Sequence, residues 1–207
     1  MKYVFLDLGA RWFEVRKIAF NYLTDGNSKI DMKTKKPFFD QPFNMGDLEF
    51  HLFECLPDHF EQLEIRVQEI RDRFNANITI HKKAIYNKNG TANFYKAIDR
   101  WGTVGSTLMK EKREKLDLAN PYTVETVDIT EFIEDNFSKD DYIIMKIDTE
   151  GGEYDMLEHM LKTNSIDYIT ELHVEWHNHF FPGKGVVQRK LLDEFKKRNV
   201  NYKQWFY

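Results

Sequence analysis

The sequence predicts a single α/β domain, with a mostly parallel central sheet and helices on both faces. Three observations carry that expectation. Short apolar runs alternate with segments of helical periodicity along the chain, which is the pattern of βαβ units. Two of the runs, Val4-Phe-Leu-Asp-Leu8 and Tyr142 to Ile147, are almost continuously apolar, as strands covered on both faces must be. At 207 residues, 42% of them apolar and 31% charged, the chain has the length and composition for one well-buried core, so 1–207 is read as one domain.

The elements follow in order. Val4 to Leu8 reads as a buried strand that ends at Gly9. Trp12 to Leu23 reads as a helix, because Val15, Ile18, Ala19 and Tyr22 share one face. Residues 24–47 are polar and carry Gly26, Pro37, Pro42 and Gly46, a long insertion between the first helix and the second strand. Its attachment predicts a place away from the sheet's ligand end, suited to oligomerisation or a neighbouring domain. Leu48 to Phe53 is the second strand. Pro57 then opens the clearest helix, with Phe60, Leu63, Val67, Ile70 and Phe74 in one stripe. Asn77 to His81, Thr91 to Ile98 and Thr123 to Ile129 have strand character. Tyr142 to Ile147 ends at Asp148, and Gly151-Gly152 starts a helix with Tyr154, Leu157 and Leu161 inward. Ile169 to Trp176 is a strand, Val186 to Lys197 a helix and Asn201 to Tyr207 a final strand.

Composition excludes some functions. A formal net charge of −4 carries no general footprint for nucleic acid. No apolar run is long enough for a membrane span, and the opening apolar segment is too short for a signal peptide. One cysteine, Cys55, forbids an internal disulfide and fits a reducing, cytoplasmic setting. The abrupt start leaves open whether this is a whole protein or a domain of a larger chain.

Ligands of parallel sheets bind beyond the carboxyl ends of the strands. Asp7-Leu-Gly9-Ala10 ends the first strand, where glycine lets backbone approach a ligand, and Glu54 ends the second, where a carboxylate can accept from ribose hydroxyls. Two such acids at adjacent strand ends favour a nucleoside cofactor, whereas P-loop and complete G-x-G-x-x-G signatures are absent. Lys146-Ile-Asp148-Thr-Glu150-Gly-Gly-Glu153 straddles a strand-to-helix turn. The helix dipole explains Glu153, but Lys146 in a buried strand needs a partner. In His173-Val-Glu175-Trp-His177, strand alternation puts His173, Glu175 and His177 on one face, as a general base or, with Asp148 or Glu150, a divalent-metal site.

Together these residues resemble the FkbM family of S-adenosylmethionine (SAM)-dependent methyltransferases. The resemblance runs through Val4-Phe-Leu-Asp-Leu-Gly-Ala10, Phe53-Glu-Cys-Leu-Pro57, Lys83-Ala-Ile85 and Thr126-Val-Asp128, and is most specific at Ile144-Met-Lys-Ile-Asp-Thr-Glu-Gly-Gly-Glu153 and Glu175. It implies a Rossmann-like class I fold that transfers methyl from SAM to a hydroxyl, leaving S-adenosylhomocysteine. By position, Asp7, Gly9 and Ala10 would face the methionine part, Glu54 the ribose, Cys55, Leu56, Lys83 and Ala84 the adenine, and Asp148 the methyl group. Arg11, Trp12 and Phe13 depart from the family's small residues after Gly-Ala, so the bulky side chains must point away, and Arg11 could pair with the SAM carboxylate.

A sugar hydroxyl of a glycan is the expected acceptor, and such a poor nucleophile needs a positioned base. Asp148 or His177 is assigned that role, with Lys146 and Glu150 in the same catalytic group. Arg100, Trp101, Ser106 and His173 are expected on the acceptor side. A Mg²⁺ or Mn²⁺ site from Asp148, Glu175 and His177 stays open. So do two other functions: an inactive SAM-binding interaction module, and a metal-dependent hydrolase using Asp148, Glu150, His173 and His177.

Overall fold

Alternation along the strands decides which side of the sheet each side chain serves. The computed structural model describes residues 1–98 and 102–205. Its strands are β1 (Tyr3–Leu8), β2 (Glu49–Phe53), β3 (Asn77–His81), β4 (Ala84–Tyr86), β5 (Gly90–Phe94), β6 (Tyr122–Asp128), β7 (Tyr142–Ile147), β8 (Glu171–Val174) and β9 (Tyr202–Gln204). Its α-helices are α1 (Val15–Ile18), α2 (Pro57–Phe74), α3 (Ile129–Asn136), α4 (Glu153–Thr163) and α5 (Lys184–Arg198). Six strands form a sheet in the order β3-β2-β1-β7-β8-β9, and every neighbouring pair is parallel.

Val4, Leu6 and Leu8 of β1 pack with Met145, Ile147 and Val174 against Ile133 of α3, Leu157 of α4 and Leu191 of α5. The intervening residue Phe5 joins Phe50, Leu52 and Ile144 in a second layer against Leu63, Val67 and Ile70 of α2. This is the two-sided burial that the continuous apolar runs predict. Helix α2 behaves as its sequence demands. Pro57 occupies the first turn, and Asn75 closes the helix in the left-handed conformation at φ 50°.

The first helix is shorter than its apolar spacing predicts, covering only Val15–Ile18. Arg11 and Phe13 have left-handed backbones, φ 48° and 57°, which no helix accommodates, and Phe20 bridges to Ser28 instead of continuing the turn. From there the chain doubles back over the second layer. Phe39, Phe43 and Met45 are buried, with the Phe39 ring 5.9 Å from Phe5 and 5.4 Å from Phe20. Asp40 fastens this segment to the far strands, its N–H donating to Glu171 at 3.0 Å and its carboxylate pairing with Lys203 at 2.9 Å. Residues 24–47 thus supply core side chains where a helix would otherwise cover the sheet.

A second difference concerns the middle of the chain. β4, β5 and β6 leave the main sheet and form their own, in the order β4-β6-β5, with β5 antiparallel to β6. β4 is three residues long, too short to show a period, and Thr91 to Ile98 shortens to a strand ending at Phe94. No helix among the described residues is long and apolar enough to cross a membrane.

At the β2–β3 edge, His51 and His81 stack at 5.3 Å and share one hydrogen bond of 3.0 Å, with His81 also stacked on Phe53. Burial lowers both pKa values, that of His81 to about 4, and the neighbouring His51 adds to the shift. The unfolded chain therefore binds protons first. The stability from the neutral pair is fully present above about pH 6.5 and is lost as pH falls toward 4. Partial solvation limits the effect to on the order of 1–2 kcal/mol. Urea midpoints between pH 7 and 4.5 should fall less steeply in His81→Phe than in wild type. Parallel curves would refute this source of acid sensitivity.

Candidate active site

The carboxyl ends of β1, β2, β7 and β8 converge on one pocket, about 1070 Å³ of space open to solvent. Its floor is set by Gly9, at φ 85°, where an added Cβ would stand 1.8 Å from the Asp148 carbonyl oxygen. Only glycine permits that approach of β1 to β7. The Gly9 and Ala10 N–H groups both donate to the Phe53 carbonyl, at 3.1 and 2.9 Å, tying β1 to the end of β2. Glu54 follows, its carboxylate accepting from the N–H of Arg11 at 2.9 Å and of Leu56 at 2.7 Å. Two backbone donors hold this acid in place at the pocket wall, with His59 Nδ1 3.4 Å away.

Lys146 finds the partners its burial requires. Register places it opposite Asp7 on the neighbouring strand, and its ammonium lies 3.1 Å from Asp7 and 3.2 Å from Asp148, with a 3.0 Å hydrogen bond to the Gly9 carbonyl. Burial opposes the charge on Lys146, but Asp148 and Asp7 outweigh it and hold the pKa above its ordinary value. Burial also pushes Asp7 up to about 6 against the pull of Lys146. Asp7 is fully enclosed and lies behind the pocket, so it serves the lysine and does not face a ligand.

A second charged cluster sits beside the first. His177 is buried, with Nδ1 3.2 Å from Glu153 and Nε2 3.4 Å from Glu150 and 3.6 Å from Asp148. Burial disfavours its charge, but the hydrogen bond to Glu153 and the carboxylates of Glu150, Glu153 and Asp148 raise its pKa to about 10. An imidazolium at neutral pH cannot be the general base assigned to His177, which does not line the pocket either. Glu153 is fully buried and accepts from the N–H of Gly151 and of His177, at 2.8 and 3.1 Å. Its place in the first helical turn hides this role. Lys112, with no local sequence signal, reaches in from a distant loop to Glu150 at 2.7 Å and to the Gly105 carbonyl at 2.8 Å.

Of the expected cofactor residues, Gly9, Ala10, Arg11, Glu54, Cys55, Lys83, Ala84 and Asp148 line the pocket. Leu56 does not, being packed with Phe94 and Val124. The Lys83 ammonium is taken up by Glu125 at 2.6 Å, and burial raises the Cys55 thiol well above its usual pKa. Phe13 turns into the core against Phe50, and Trp12 meets the His59 ring edge-on, so the bulky first loop leaves the pocket open. The Arg11 guanidinium pairs with Glu14 at 3.3 Å. Lys146, Glu150 and Ser106 also border the space, Ser106 fixed by bonds to Ala97 and Thr103. Arg100 and Trp101 lie outside the described residues.

His173 stands apart from the pocket. β8 ends at Val174, and the His173 ring packs against Phe39 and Trp205 with Nε2 3.4 Å from Glu171. The acceptor-side role and the four-residue hydrolase site expected for it do not assemble. The donor atoms that do gather, within 4.8 Å, belong to Asp148, Glu150 and His177, so Glu150 takes the place expected of Glu175. That set does not fit a metal as folded. Lys146 and Lys112 already pair with the two carboxylates, at 3.2 and 2.7 Å. Glu175 borders the pocket instead, its pKa raised to about 7 by burial and by Asp148.

A family model described as the methyltransferase FkbM domain matches residues 36–202. No curated protein and no solved structure matches the chain.

Proposed function

The chain belongs to the FkbM methyltransferase family, and from that premise we propose that it transfers the methyl group of SAM to a hydroxyl, most naturally of a sugar in a glycan. The observation that carries the cofactor is Glu54, a buried carboxylate prefixed by two backbone N–H groups at the end of β2. Its remaining acceptor capacity suits the paired hydroxyls of a ribose. Cys55 and Ala84 border the adenine in this reading, and Gly9, Ala10 and Arg11 the methionine end. Bound there, SAM supplies an electrophilic methyl group for in-line displacement by an acceptor oxygen. Lys146 fixes Asp148 at the turn where β1 and β7 meet, and the His177–Glu153 pair stiffens the following turn. Pre-set carboxylates need no rearrangement as the transfer proceeds.

Calorimetric titration with SAM and S-adenosylhomocysteine tests the reading, followed by methylation assays on neutral glycosides. Binding near micromolar, about −8 kcal/mol, and methylated product are expected. Mg²⁺ or Mn²⁺ should leave the affinity unchanged, because Lys112 and Lys146 hold the carboxylates that an ion would need. Binding without turnover on any hydroxyl would favour the inactive binding module, and no binding at all would refute both.

A further inference from the structure

The strand order divides the pocket. β1 and β2 end in the half that contains Gly9, Glu54 and Cys55, whereas β7, β8 and β9 lead to Asp148, Glu175 and Trp205 on the other side of the switch between β1 and β7. With the cofactor in the first half, the second is left for the acceptor, and Val15 and Ile18 of α1 add apolar side chains to the pocket lining.

Two buried polar atoms of that half have unmet bonding capacity. Glu175 Oε2 has no hydrogen-bond partner, and neither does Trp205 Nε1, on an indole only 2% exposed. Buried polar atoms are nearly always paired, so an unpaired carboxylate oxygen bordering a cavity points to a donor that the ligand brings. The other acids here are engaged: Asp148 by Lys146, Glu14 by Arg11 and Glu150 by Lys112. Among the described residues, no cationic side chain forms an ion pair with Glu175.

We propose that Glu175 is the catalytic residue that binds the acceptor's hydroxyl and takes its proton, in a subsite walled by Trp205 and Ile18 that admits uncharged or cationic acceptors and rejects phosphorylated or carboxylated ones. The assignment rests on the methyl-transfer reading above. In the step, the acceptor O–H bond breaks and its proton passes to Glu175. The freed electron pair forms the new O–CH₃ bond, and the pair of the breaking S–CH₃ bond stays on sulfur. Glu175 then returns the proton to water. An anionic acceptor would meet Glu175 with no spare cation to offset the repulsion, which is discrimination by an unfavourable contact. Trp205 borders the pocket with its indole packed into the core, and its unpaired Nε1–H is a donor that a hydroxyl oxygen of the acceptor can accept.

The test compares wild type with Glu175→Gln on a panel of methyl hexopyranosides, the matching hexuronates and hexose 6-phosphates. Affinity for S-adenosylhomocysteine is measured in parallel. Expected are a fall in kcat of about 100-fold or more for Glu175→Gln at saturating acceptor, and a cofactor affinity within about threefold of wild type. Wild type should favour the neutral acceptors over both anionic series by at least about tenfold. Retained cofactor affinity in the variant also shows that it folds. Undiminished turnover in Glu175→Gln overturns the proposal, as does a preference for anionic acceptors, or no methylation of any neutral acceptor by cofactor-binding wild type. Wild type that does not bind S-adenosylhomocysteine removes the methyl-transfer reading itself, and this assignment falls with it.

Discussion

Replacing Glu54 by alanine is expected to weaken S-adenosylhomocysteine binding by about 100-fold or more. Each hydrogen bond to a charged group contributes roughly 1.5–3 kcal/mol, and a ribose presents two hydroxyls, so about 3 kcal/mol is at stake. The loss has a second source. Glu54 accepts from Arg11 and Leu56, so its removal leaves one buried and one part-buried N–H group unpaired and loosens the loop that borders the methionine end. Glu54→Gln separates the two. The amide oxygen can still accept from one backbone N–H, but the charge is gone, so an intermediate loss of about tenfold is expected. Calorimetry on wild type and both variants decides the matter. An affinity within about threefold of wild type in Glu54→Ala would mean that the nucleoside does not sit at the end of β2.

Lys146→Met is expected to destabilise the fold by about 3–5 kcal/mol, because it strands Asp7 without its cation in a fully enclosed position. The companion variant Asp7→Asn/Lys146→Met removes both charges and should recover at least half of that loss, since methionine and asparagine demand no counterion. Urea unfolding with unchanged m-values measures both. A double variant no more stable than Lys146→Met alone would show that the lysine acts by packing and not by charge. Recovery of stability without recovery of activity would separate the two tasks of this residue, since Lys146 also holds Asp148 at 3.2 Å.

The main sheet was legible because its strands announce themselves. β1 and β7 are apolar on both faces, and α2 shows a long period with Pro57 at its start. α1 misled because Val15, Ile18, Ala19 and Tyr22 keep helical spacing while Arg11 and Phe13 take backbones that spacing cannot reveal. The second sheet was hidden for another reason. β6 alternates as a strand should, but a single sequence does not say which sheet its edges join. In the site, residues at strand ends could be read, since one rule places them all. His173 obeyed alternation yet lay before the strand's end and so faced the core. Lys112 could not be found, because a lysine among Lys110, Glu111, Arg113, Glu114 and Lys115 reads as a solvated surface until the fold buries it. Glu153 was masked by a sufficient local explanation in the helix dipole.

The segment that lays Phe39 and Phe43 over the sheet is anchored at Asp40 to Glu171, 131 residues away in sequence, and to Asn201, 161 residues away. No local nucleus can complete that layer. A growing chain has made the aromatic cover long before β8 and β9 exist to receive it, so the cover must wait, loosely held, for the last strands to arrive. Loop closure over such separations is slow and entropically unfavourable until the distant contacts form. The seal on this half of the core is therefore among the final events of folding, and it comes from the meeting of segments far apart in sequence.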